Sequence, residues 1–258
     1  MASWDPERYL GFADHRTRPA RDLLAAIHCR PPRRVVDLGC GAGNVSLLLA
    51  ERWPEAAVVG IDNSEPMLET ARKTAPGIRF DYGDIASWTP SEPPDVIYSN
   101  AALQWVPDHE ALFPRLLDAL APGGVLAVQM PLNFRAPSHR IARELAAAPE
   151  WRTKLGDRLA DSPVASAADY HRLLAPLAAV TDIWETEYLQ VLEGDSPIVK
   201  WMCGTTLRPI LDVMDEGEAR RFLTAYSERI DAVYSREADG TTLFPFRRLF
   251  IVAVARDQ

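Results

Sequence analysis

The stretch VVDLGCGAGN at residues 35–44 constrains this chain more than any other part of it. A short apolar run ends in an acid, Asp37, and then places glycines at every second position, Gly39, Gly41 and Gly43. Glycine reaches positive φ without steric cost and lets another backbone or a ligand approach closely. The pattern is that of a buried strand turning sharply into a helix, the turn around which open α/β sheets hold nucleotides.

From Arg33 onward, strand-like runs alternate with amphipathic stretches: RRVVDL, VSLLLAERW, AAVVGI, EPMLETARK, IRFDYG, DVIYS, HEALFPRLLDAL and GVLAVQM. Such alternation predicts a parallel sheet covered on both faces. Within 109–120, Leu112, Phe113, Leu116, Leu117 and Leu120 share one helical stripe. Pro122, Gly123 and Gly124 then stop the helix. After Met130 the pattern changes: RIARELAAA and YHRLLAPLAAV read as helical, TDIWETEYLQVL as a strand, roughly 197–234 as helical, and RRLFIVAVA as a closing strand. The expectation is one α/β domain over 1–258, a Rossmann-like, doubly wound, mostly parallel seven-stranded sheet. Residues 1–134 would supply N-terminal helices and the nucleotide-binding half, 135–180 and 195–240 helical insertions that roof the active site, and 246–256 the final strand. A first helix is expected to begin near Pro19.

Composition narrows the partners. The 258 residues carry a net charge of −8, against the basic balance that nucleic-acid binding requires; a small anionic ligand remains compatible, because a pocket can be locally basic. Cys29, Cys40 and Cys203 form neither a CxxC nor a Cys/His cluster, so no metal site is expected. With neither a signal-peptide pattern nor an apolar run near the ~20 residues that span a bilayer, the expectation is a cytoplasmic monomer.

Which nucleotide the turn serves is read from the strand ends. A dinucleotide turn would place its third glycine five residues after the first, where Asn44 stands. Asp62, closing VVGID, can accept ribose hydroxyls in either a dinucleotide or an S-adenosylmethionine site. The third strand runs into Asp84-Ile85, where the acid can accept from an adenine amine and Ile85 can pack the ring. The fourth ends at Asn100. Asp37, Asp62, Asp84 and Asn100 thus put one polar acceptor at each of four strand ends, which suits a cationic cofactor bearing an amine and a ribose better than a pyrophosphate.

In DLGCGAGN, GID, GDI and APGGVL, in that order, the chain resembles class I S-adenosylmethionine-dependent methyltransferases over about residues 33–130. That resemblance implies S-adenosyl-L-methionine as cofactor, with Asp37, Gly39 and Gly41 at its methionine end and Asp62 on the ribose. It further implies Asn63 and Met67 flanking the adenine, Asp84 and Ile85 completing that site, and Asn100 near the amino-acid portion.

The acceptor is harder to read. The turn after the fourth strand, Asn100-Ala-Ala-Leu-Gln-Trp, lacks the Pro-Pro-aromatic pattern of amine-directed nucleic-acid enzymes. A phenol would call for a base or a metal. A carboxylate is already ionised at neutral pH and needs neither, so no general base is assigned; it needs cationic holders, for which Arg is the natural bidentate group. Arg16 and Arg18 before the first helix, Arg208 in GTTLRP, and Arg247 and Arg248 before the last strand are candidates. Trp105 is read either as a wall beside the transferring methyl or as a core residue under the roof, and His109 either as the start of the next helix near the pocket or, in preference, as a surface residue.

SWDPERYL, LQWVPDHEALFPRLL, GGVLAVQMP, GTTLRP and RRLFIVA resemble the trans-aconitate 2-methyltransferase family over nearly the full chain. This resemblance implies transfer of a methyl group to a carboxylate of trans-aconitate, with Tyr9, Arg208 and Arg248 contacting the acid. Residues 147–165 match nothing recognisable. A methyltransferase for another small molecule, or a non-catalytic S-adenosylmethionine-binding module, stays open at this point.

Overall fold

The computed structural model describes residues 13–159 and 162–257. Seven strands form one sheet: β1 Arg34–Leu38, β2 Ala57–Asp62, β3 Arg79–Tyr82, β4 Val96–Asn100, β5 Val125–Pro131, β6 Ala178–Leu192 and β7 Thr242–Ala255. Their order is β3-β2-β1-β4-β5-β7-β6. The first five pair in parallel, and β7 runs antiparallel to β5. The apolar runs of β1, β4 and β5 are buried nearly throughout, as strands covered on both faces must be.

The helices are α1 Ala13–Ala25, α2 Asn44–Arg52, α3 Glu65–Thr74, α4 His109–Asp118, α5 Pro137–Ala146, α6 Arg152–Leu155, α7 Ala167–Leu174, α8 Pro197–Cys203, α9 Arg208–Leu211 and α10 Glu216–Asp231. Two boundaries differ from expectation. The first helix runs through Pro19 instead of starting there; the ring removes one helical hydrogen bond, but Pro19 is buried along with Ala20 and Leu23. The segment YHRLLAPLAAV is helical only as far as Leu174, and its last three residues already belong to β6. The region 197–234 is helical as expected, carrying three helices. The five leucine and phenylalanine positions of the 109–120 stripe are all buried.

Of the described residues, 13–131, 162–186 and 248–257 form one compact unit, and 132–159 and 187–247 another. In the first, the chain leaves β1 toward β2 and β3, then returns to the other side of β1 as β4. This reversal puts the carboxyl ends of β1 and β4 at the switch point, the position at which open α/β sheets take ligands. The second unit is mostly helical. Its core includes Trp151 edge-on to Phe222, and Trp201 against Phe244 and Phe246. The Tyr226 hydroxyl donates to the Ser138 carbonyl at 3.0 Å, tying α10 to α5. An Asp215–Glu218 capping box starts α10. Residues 147–159, unmatched in sequence, carry α6 and a 3-10 turn there.

Candidate active site

The site is built around the turn after β1. Gly39, Gly41 and Gly43 all take positive φ, at 78°, 52° and 82°. The amides of Gly39 and Cys40 donate to the Ile61 carbonyl at 2.8 and 3.1 Å, drawing the turn across the end of β2. A Cβ on Gly39 would lie 2.2 Å from the Ala102 Cβ, so the turns after β1 and β4 touch here. A Cβ on Gly41 would meet nothing within 4 Å. The middle glycine faces open space, and the others pack.

Asp62 shapes the same turn. Its Oδ2 accepts from the Gly41 amide and its Oδ1 from the Ser64 amide, both at 2.9 Å. A carboxylate has about four acceptor positions, so it can still receive two hydroxyl donors. Burial raises its pKa, against the amide hydrogen bonds that favour the charge.

Asp37 lies beneath the turn, only 1% exposed, and accepts from the Ser46 hydroxyl at 2.6 Å. It joins the end of β1 to α2. Burial pushes its carboxyl up to about 7, with the Asp62 charge adding to the rise and the Ser46 bond opposing it. Cys40 is buried against Leu68, Ala71, Ala75 and Phe80, and burial raises its thiol far above the range of a nucleophile.

On the β3 side, Asp84 is exposed and accepts from the Ala86 amide at 3.0 Å, while the Ile85 Cδ1 lies 3.4 Å from where a Gly39 Cβ would sit. Asn63 is exposed and Met67, on α3, is buried. At the end of β4, the buried Oδ1 of Asn100 has no hydrogen-bond partner. Acceptor groups therefore stand at the carboxyl ends of β2, β3 and β4, with Asp62 bonded to the turn and Ile85 and Ala102 close to Gly39.

A family model described as a methyltransferase domain matches residues 35–124, the part of the chain just described. Trans-aconitate 2-methyltransferase of Azoarcus sp. (strain BH72) is 49% identical over 254 residues, covering 98% of this chain and 100% of its own. That of Methylobacterium nodulans is 48% identical over 254 residues, covering 98% of each chain. The chain belongs to the trans-aconitate 2-methyltransferase family. Among solved structures, the YcgJ protein from Bacillus subtilis aligns over 94% of this chain and 100% of its own, with a TM-score of 0.61 at 17% identity, a likeness of fold alone.

For a member of the trans-aconitate 2-methyltransferase family, the residues around the acceptor matter most, and here the structure separates the candidates. Trp105, in the 3-10 turn Leu103–Trp105, is 54% exposed, so it is not the core residue that one reading allowed. Arg248 is buried at the start of the β7 segment that pairs with β5, and its Nη1 donates to the Gln129 Oε1 at 3.2 Å. Arg208 opens α9 in the helical unit, its side chain 18% exposed and 3.9 Å from Asp212. Arg18 is exposed on α1. Arg16 belongs to α1, but its side chain lies outside the described residues, as does the whole of Tyr9.

His109 is a correction: it is buried, not on the surface. Its Nδ1 meets the Tyr170 hydroxyl, and its Nε2 the Leu103 carbonyl at 2.9 Å. Burial lowers its pKa, keeping it neutral as one ring nitrogen donates and the other accepts. It braces the turn that carries Gln104 and Trp105. Gln129 is a lone amide in the apolar run of β5, and it is wholly buried. Among the described residues no group of three or more His, Cys, Asp or Glu side chains is placed to hold a metal, and no helix is long and apolar enough to cross a membrane.

Proposed function

We propose that this chain transfers a methyl group to a carboxylate of trans-aconitate, leaving the monomethyl ester. The observation that carries this reading is the full-length relationship to enzymes named for that substrate, at 49% and 48% identity. S-adenosyl-L-methionine supplies the electrophilic methyl when bound. The residues fit that group: Gly41 leaves open space at the turn, and the buried Asn100 Oδ1 is an acceptor in want of a donor.

In this reading Asp62 takes the ribose, Asp84 and Ile85 the adenine with Asn63 at its edge, and Gly39, Gly41 and Asn100 the amino-acid end. Met67 flanks the adenine with Asn63, and Asp37, itself buried, acts at the methionine end through the turn it supports. The acceptor carboxylate is ionised at neutral pH, so the chain needs no base. Its work is alignment and exclusion of water, which can bring reacting atoms to about 3–3.5 Å. Arg248 and Arg208 hold carboxylates that do not react, Trp105 shields the transferring methyl, and Tyr9, Arg16 and Arg18 are further acid-binding groups. The protein acts as a cytoplasmic monomer on a free small acid, without nucleic acid or metal.

The test is methyl uptake from labelled cofactor across a panel of small mono-, di- and tricarboxylic acids. Base-labile label on trans-aconitate supports the reading. Cofactor binding with no methylation of any acid would instead favour a non-catalytic binding module.

A further inference from the structure

Three side chains from three adjacent strands share one face of the sheet at its carboxyl edge. Asn100 and Gln129 are register partners on β4 and β5, and Gln129 is opposite Phe250 on β7. Arg248 stands two residues from Phe250, so strand alternation returns it to the same face. This face is the one that α1 covers, since Tyr98, two residues before Asn100, donates from its hydroxyl to the Ala20 carbonyl at 2.7 Å.

Gln129 is wholly buried and only half used. Its Oε1 accepts from Arg248, but its Nε2 makes no hydrogen bond. The Asn100 Oδ1 beside it is likewise unpartnered. A buried amide donor left unmade costs more than a bond adds, and buried polar atoms almost always find partners. An unmet N–H donor next to a guanidinium, at the edge where such sheets take ligands, is matched to an anionic oxygen.

We infer that Gln129 is a specificity-determining residue for the acceptor: it braces Arg248 through Oε1 and donates from Nε2 to a carboxylate oxygen of the acid. This rests on the carboxylate-methylating reading above. The pair would offer a carboxylate one charged and one neutral donor, so that both oxygens of one group are held.

Gln129→Glu separates the two roles. A carboxylate braces Arg248 at least as firmly as an amide, but it has no N–H to donate and repels an anionic acceptor. With the full chain, labelled cofactor and trans-aconitate, KM for the acid should rise about 10- to 100-fold. The kcat and the cofactor affinity measured by calorimetry should stay near wild type. Gln129→Met, which loses both functions, should show a KM at least as high; if it fails to fold, Gln129→Glu still decides. A Gln129→Glu enzyme with wild-type KM overturns the inference, because Gln129 would then only brace Arg248. A fall in cofactor affinity instead of acid affinity overturns it too. Should the wild-type protein methylate no carboxylic acid, the reading of the function falls, and the inference falls with it.

Discussion

The Gly41 amide donates to the Asp62 carboxylate at 2.9 Å across 21 residues of sequence. One acid at the end of β2 therefore fixes the shape of the turn after β1 while keeping acceptor capacity for a ligand. Removing it should do two things at once. Asp62→Ala should weaken S-adenosylmethionine by about 10- to 100-fold through lost charge-assisted bonds, and should loosen the turn. Calorimetric titration checks this, and an unchanged Kd would remove Asp62 from the cofactor site.

The three glycines of the turn should not behave alike. Gly39→Ala combines a left-handed backbone with a 2.2 Å approach to Ala102. The strain and overpacking together should cost roughly 2–5 kcal/mol of stability. Gly41→Ala meets no atom, so its cost should be only the roughly 1–2 kcal/mol of left-handed strain. Its methyl would nevertheless occupy the open space over the turn. Denaturant melts and cofactor titration on both variants check this: Gly39→Ala should lose mainly stability, and Gly41→Ala mainly cofactor affinity.

Asp37 should make the ligand-free protein less stable as pH rises. The folded carboxyl keeps its proton up to about 7, whereas an ordinary aspartate releases it near 3.8. Between those values the folded state binds more protons, so stability falls with increasing pH and the loss is complete above about 7. The full effect is at most roughly 4 kcal/mol. Asp37→Asn keeps an acceptor for Ser46 and removes the titration. From pH 5 to pH 8 the wild-type Tm should fall relative to that of the variant; parallel curves would show that Asp37 does not titrate there.

Much of this was legible because it is local. The strands of the sheet read as apolar runs since both their faces are buried, and the glycine turn reads directly because positive φ selects glycine. What escaped depends on distant partners. His109 looks like a surface residue until Tyr170, 61 positions away, supplies its hydrogen bond. Gln129 is one polar residue in an apolar strand, and only Arg248, 119 positions away, marks it as more than filler. Pro19 misled because proline favours a helix start, whereas here its burial outweighs the lost bond. The AAV of 178–180 carries no period of its own, so the end of α7 could not be separated from the start of β6.

Arg208 offers the final test, because its turn is fixed from within its own unit. The Thr206 hydroxyl meets the Nε2 of buried His139 at 3.0 Å, and the Thr205 hydroxyl donates to the Trp201 carbonyl at 3.0 Å. Leu207 and Ile210 anchor the turn on either side of Arg208, both fully buried. Burial holds the His139 pKa down at about 4, so at neutral pH its ring is uncharged and leaves the guanidinium of Arg208 as the cation of this turn's own sequence. Arg208→Ala should lower kcat/KM for trans-aconitate about 10- to 100-fold with cofactor affinity unchanged. Arg208→Lys should recover little, since a point charge does not reproduce a bidentate fork. Thr206→Val should give a smaller loss in the same direction by releasing the turn, while the exposed Arg172→Ala should give none. Steady-state kinetics with cofactor titration on the four variants decides it: wild-type kcat/KM in Arg208→Ala would move the acid-binding role to the other arginines.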